Sequence, residues 1–156
     1  MATPVVCAAG EGPRYWFYGG GVHLWKVSGE ETKGGVAVFE DTLERGKTTP
    51  LHQHPGSDEI IYVLEGEILI HNGGNPRTVG TGGVVMTPRG VPHAFVVTSE
   101  RARILAIVTP AAEVESFYRR ASTVGESGPV DFAKVGAAAK ETGATVILGP
   151  PPFAKT

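Results

Sequence analysis

The chain has 156 residues, 41% of them hydrophobic and 19% charged, with a net charge of -2 and a pI near 6.2. That length is one domain's worth and can bury a substantial core, the near-neutral balance gives no footprint for nucleic acid or an anionic membrane, and no run of about 18 apolar residues is available to cross a bilayer. The lone Cys7 excludes an internal disulfide, and the first residues lack the basic and apolar segments of a secretory leader, so a cytoplasmic location is expected.

Glycine and proline together exceed a fifth of the residues and fall between apolar runs, which is the punctuation of many tight turns. In chain order, Arg14 to Tyr18 and Val22 to Val27 read as short strands parted by Gly19-Gly20-Gly21. The aromatics Tyr15, Trp16, Phe17 and Tyr18 suit core or dimer packing, or a cover over a barrel mouth. Strands are then expected at Val36 to Leu43, Leu51 to His54, Glu59 to Glu65, Glu67 to Asn72, Arg77 to Val79, Val84 to Thr87, His93 to Thr98 and Arg103 to Thr109. Many short strands at this spacing predict an all-β sandwich or barrel. Helix signals begin after Pro110: residues 111–122 put Val114, Phe117 and Tyr118 on one side, predicting a helix packed on the barrel's outside. Asp131 is a plausible N-cap for a second helix over 132–141, with Gly143 at its end. Val146-Ile147-Leu148 adds a short strand, and Gly149-Pro150-Pro151-Pro152 an extended tail packing on a neighbour or subunit. The whole reads as a single domain with N-terminal strands over 1–34, a barrel over 35–110, and helices with a proline-rich tail over 111–156.

Four residues carry the chemistry. His52 and His54 are two apart on a strand and so face the same side. A Pro55-Gly56-Ser57-Asp58 turn is expected to return the chain beside that strand, so that Glu59 is supplied by an antiparallel neighbour. His93 follows a Pro88-Arg89-Gly90 turn at the start of a third strand. Three neutral imidazoles and a carboxylate suit one divalent iron, nickel, manganese, cobalt or zinc ion and leave two octahedral positions open. His23 and His71 lack such company and are expected to be structural or solvent-facing, and Cys7 has no neighbour to activate it.

These residues resemble those of the cupin family. Gly46, His52, His54, Glu59 and Gly66 match its first motif, G-x5-H-x-H-x4-E-x6-G, and Gly82, Pro88, Gly90 and His93 match its second, with Val97 in place of the final asparagine. The resemblance implies a double-stranded β-helix, a metal held by His52, His54, Glu59 and His93, and a homodimer whose sheet edges are covered by terminal strands.

Strand parity puts Ile61 and Val63 inward with Glu59, and Phe95 and Val97 inward with His93, which gives an apolar pocket. Ile60, Tyr62 and Leu64 face the opposite side, beneath a helix or subunit, with Tyr62 as a packing residue. Such a cup around an open-sided metal suits a small organic ligand entering through an enolate, phenolate or carboxylate. The expected activity is that of a quercetinase-like dioxygenase on a small enolisable or phenolic substrate, with dioxygen as co-substrate and Glu59 as both ligand and catalytic base. The alternative is a non-redox isomerase or cyclase, or a ligand-binding cupin without turnover. Parity shows neither the histidine–tyrosine pair of an epimerase nor the basic cup of a phosphosugar enzyme.

Overall fold

A computed structural model describes residues 1–153; residues 154–156 of the proline-rich tail lie outside the described residues. The strands are β1 (Arg14–Phe17), β2 (Val22–Val27), β3 (Ala37–Glu44), β4 (Leu51–Gln53), β5 (Asp58–Glu65), β6 (Glu67–Asn72), β7 (Arg77–Gly80), β8 (Val84–Thr87), β9 (His93–Val97) and β10 (Arg101–Thr109). They are followed by α1 (Ala112–Arg120), β11 (Ser122–Val124), α2 (Phe132–Thr142) and β12 (Val146–Gly149). A seven-stranded sheet, β11-β1-β2-β3-β10-β5-β8, faces a five-stranded sheet, β12-β4-β9-β6-β7, and every pairing is antiparallel. This is the expected double-stranded β-helix. The N-terminal strands β1 and β2 continue the larger sheet beside β3.

Alternation along each strand sets the core. Ala37, Phe39, Asp41 and Leu43 of β3 and Ala102, Ile104, Ala106 and Val108 of β10 all point inward. At one end this face meets the smaller sheet, where Leu43, Ile104, Ile61 and Val63 pack with Ile68, Ile70, Phe95 and Val97. At the other end the smaller sheet runs out, and Phe39, Ala106 and Val108 pack instead against Val114 and Phe117 of α1 and Val135 of α2. The helices therefore complete the second layer on the inner face; the expectation of a helix on the barrel's outside is corrected. A five-stranded sheet cannot cover a seven-stranded one, and the apolar stripe of α1 fills the deficit.

The ends of α2 follow their signals. Asp131 accepts hydrogen bonds from the N–H groups of Ala133 and Lys134 at 3.0 and 3.1 Å, and Gly143 closes the helix at φ 65°. Gly66, the last glycine of the first motif, sits at φ 79° between β5 and β6, where a Cβ would lie 2.1 Å from the Arg101 carbonyl oxygen. Only glycine fits that corner. On the outward face of β5 no helix among the described residues covers Tyr62, which is 39% exposed beside the exposed Val84 and Met86 of β8. Among the described residues no helix is long and apolar enough to cross a membrane.

Candidate metal centre

The four motif residues converge, by a route that differs from the sequence expectation. β4 and β9 are direct neighbours with His52 opposite His93, so two imidazoles meet as a cross-strand pair. β5 is not beside β4: it lies in the other sheet, between β10 and β8, and Glu59 reaches the histidines across the interior. The Pro55 to Asp58 turn carries the chain from one sheet to the other and does not close a hairpin. All four residues are buried. One ring nitrogen each from His52, His54 and His93 lies within 4.8 Å of the others. Glu59 stands outside that mutual set, with Oε2 at 3.1 Å from His93 Nε2.

The outer nitrogens fix how the rings are aimed. Nδ1 of His52 bonds the Pro50 carbonyl at 2.8 Å and Nδ1 of His93 the Val91 carbonyl at 2.9 Å. Nδ1 of His54 lies 3.3 Å from the Ala144 carbonyl and 3.1 Å from Thr145 Oγ1, both from the segment joining α2 to β12. A carbonyl accepts only, so each Nδ1 carries the proton and each Nε2 is left as a lone pair directed inward. Among the described residues, Nε2 of His54 and of His93 has no hydrogen-bond partner. Two facing lone pairs, His93 Nε2 and Glu59 Oε2, need a cation between them, either a proton or a metal ion. Orphaned buried nitrogens and a carboxylate are the donor set that a divalent transition metal takes, so the residues fit a metal.

Electrostatics agree. Burial, then the neighbouring His93 and His54, lower the His52 pKa to about 3, and burial above all lowers that of His54. Both shifts favour the neutral imidazole, the form a metal ion takes. Burial pushes the Glu59 carboxyl up, but the close approach of His93 and the field of the three imidazoles outweigh it and hold the group at about 2. Burial pulls His93 down, and Glu59 more than reverses it, so its pKa is raised.

Two clamps hold the motifs together. The N–H of Gly90 donates to the His54 carbonyl at 2.9 Å. Arg89 donates to Asp58 from its backbone N–H at 2.8 Å, from Nε at 3.1 Å and from Nη2 at 2.8 Å, tying the turn before Glu59 to the turn before His93.

The centre opens on a cavity whose walls are largely apolar. Of the expected pocket residues, Ile61 and Phe95 line it, whereas Val63 and Val97 lie deeper, in the closed core between the sheets. They share the inward parity but stand one inward step further from the metal end. The remaining wall comes from outside the motifs: Phe17, Phe39, Phe117, Tyr118, Phe132 and Val135. His23 is also there, buried at 2% exposure and 3.3 Å from Asp41, which corrects its expected place away from the site. Alternation along β2 puts His23 on one face with Trp25, but nothing local says which face of that strand meets the cavity. His71 is half-buried on β6 and is not among the lining residues.

Residues 39–108 match the family described as Cupin domain. That match holds all four candidate ligands, His52, His54, Glu59 and His93. Among curated proteins it is similar to quercetin 2,3-dioxygenase of Bacillus subtilis (strain 168), 29% identical over 131 residues that cover 84% of this chain and 37% of that protein. The chain spans less than half the length of the curated relatives it matches. Among solved structures, a predicted oxalate decarboxylase from Thermotoga maritima superposes with a TM-score of 0.61 at 25% identity, covering 68% of this chain and 98% of that one. A RmlC-like cupin from Shewanella frigidimarina has the same TM-score at 19% identity, covering 74% and 99%, and speaks to the fold alone.

Proposed function

We propose that this cupin is a metal-dependent dioxygenase acting on a small enolisable or phenolic organic substrate. The observation that carries the reading is a centre of three inward Nε2 atoms and one carboxylate at the end of a cavity walled by Ile61, Phe95 and Phe117. The similarity to quercetin 2,3-dioxygenase supports it. His52, His54, His93 and Glu59 would hold the ion, which when bound polarises a substrate oxygen and exchanges electrons with dioxygen.

The residues of this chain do the rest. The ionised Glu59, whose carboxylate lies 3.1 Å from His93 and lines the cavity, takes the proton of the substrate's enol or phenol. His93 Nε2, 3.1 Å from Glu59 Oε2, would hold the same ion and so fix where the carboxylate stands. Phe95, Phe117 and Ile61 offer flat and branched apolar surface to a planar ligand and exclude water from the reacting end. Ala144 and Thr145 keep His54 aimed inward.

A non-redox isomerase or cyclase is the second reading, and one observation favours it. The imidazole of His23 and the phenol of Tyr118 share the cavity, and burial, then Glu59 and Asp41, push the Tyr118 pKa well above its ordinary value, so it keeps its proton to donate. Oxygen uptake by metal-loaded protein separates the two. Consumption with flavonols, 1,3-diketones or catechols supports the dioxygenase, and isomerised product without oxygen consumption overturns it.

A further inference from the structure

We propose that His23 and Asp41 form a second proton-transfer centre in the same cavity, so that the substrate carries two acidic oxygen groups on one apolar body, one for each centre. This rests on the reading that the cavity takes a small enolic or phenolic compound.

His23 on β2 and Asp41 on β3 are cross-strand partners on the inner face of the larger sheet. They are 2% and 6% exposed and line the cavity that His52 and Glu59 also line. Nε2 of His23 is 3.3 Å from Asp41 Oδ2, an ion-pair contact that favours the proton on Nε2, and with the proton there the ring presents Nδ1 as a lone pair. The ring is held by Phe17, stacked at 5.0 Å, Phe39 at 4.7 Å and the edge of Tyr118 at 5.1 Å. The ammonium of Lys47, on the same wall, offsets the charge of Asp41.

Among the described residues, neither Nδ1 of His23 nor Oδ1 of Asp41 has a hydrogen-bond partner. A pair present only for packing would not leave two such atoms: each buried orphan costs on the order of 1–3 kcal/mol, and apolar side chains of the same shape avoid that cost. A base awaiting a ligand proton accounts for the free Nδ1.

Register sets the span. Glu59 is level with Val108 and Ala37, Ile61 with Ala106 and Phe39, and Val63 with Ile104 and Asp41. Asp41 thus sits two inward positions further along the sheet than Glu59, and the level between them is the apolar wall of Ile61, Ala106 and Phe39. A molecule touching both centres has an apolar middle. At the second centre its O–H bond breaks and the proton forms an N–H bond on His23 Nδ1; the substrate keeps the electron pair as phenolate or enolate, and the imidazolium stays paired with Asp41. His23 touches the substrate, and Asp41 is a positioning residue that sets the tautomer.

The test uses phenylpyruvate and 4-hydroxyphenylpyruvate, which differ by one phenolic hydroxyl, bound to metal-loaded protein without oxygen and followed by calorimetry and ultraviolet absorption. The hydroxylated compound should bind about tenfold more tightly, as a charge-assisted hydrogen bond provides, with phenolate absorption at neutral pH. Asp41→Asn and His23→Gln should each bring the two compounds to near-equal affinity and abolish the phenolate signal with metal content unchanged. If the wild type shows no preference, or the preference and phenolate signal survive in whichever variant folds, the dyad has no such role and the functional reading stands. If neither compound binds the wild type, the reading of the cavity falls and the dyad with it.

Discussion

The metal end of the cavity and its far wall come from different parts of the chain. His52, His54, Glu59 and His93 arise in one stretch, where Pro50 and Val91 hold the Nδ1 atoms of His52 and His93 and the Asp58–Arg89 pair ties the flanking turns. The far wall gathers Phe17, His23, Phe39, Phe117, Tyr118 and Val135 from β1, β2, β3, α1 and α2, with no fixed spacing among them. Metal chemistry demands a few donors at set angles, which short-range spacing can encode. Substrate choice depends on surfaces that meet only when the sheet and helices close.

The comparison breaks first at the metal end. His52→Ala or His93→Ala should remove bound metal almost entirely while the circular-dichroism spectrum stays that of a folded β protein. Metal analysis after purification checks this, and full metal content in both variants would falsify the site. The far wall should behave the other way. Phe117, 4% exposed, packs between α1 and the larger sheet, so Phe117→Ala should cost about 3–5 kcal/mol of stability in denaturant titration with metal stoichiometry kept. Loss of metal in that variant would mean the two ends are not separable.

How much of this was legible follows the same division. The strands, the caps of α2 and the ligand residues all have local signals: alternation, Asp131 and Gly143 at the helix ends, and His52 and His54 two apart. Sheet membership does not. Glu59 was expected from a hairpin neighbour of β4 and arrives from the opposite sheet, because a turn signal marks a reversal without saying which sheet receives the chain. β11 was missed, since Ser122 to Val124 is three residues long and becomes a strand only by pairing with β1. Val63 and Val97 were expected in the pocket because parity gives a face but not a depth. Thr145 carried no signal at all; its role exists only because the segment after α2 returns to His54.

Thr145 and Asp58 sharpen the boundary between the regions. Thr145→Val removes an oxygen 3.1 Å from His54 Nδ1, and Asp58→Asn weakens the tie between the Glu59 and His93 turns. Each should lower metal affinity about 10- to 100-fold in chelator competition, the size seen when groups behind a ligand are removed. Thr145 comes from outside the stretch 39–108. An unchanged affinity in Thr145→Val would confine the metal end to the motif-bearing strands.

The smallest effects are in pH, where the two ends should titrate with opposite sign. In metal-free protein the raised pKa of His93 means the fold binds its proton more tightly than the unfolded chain. That stability is fully present below pH 6.5 and is lost as pH rises through the raised value. At the far wall, burial outweighs the pull of Asp41 and lowers Lys47 from 10.5 to about 8. Between pH 8 and 10.5 the unfolded chain then binds more protons than the folded one, so this contribution rises with pH and is lost as pH falls through about 8. Lys47→Met should flatten the alkaline rise in chemical-denaturation stability and leave the His93 region of the curve unchanged. Metal should do the reverse: it displaces the proton shared by His93 and Glu59, so saturating metal should remove the His93 dependence, release protons on binding and bind more weakly as pH falls. An alkaline rise that persists in Lys47→Met would assign that titration to a group other than the far wall's lysine.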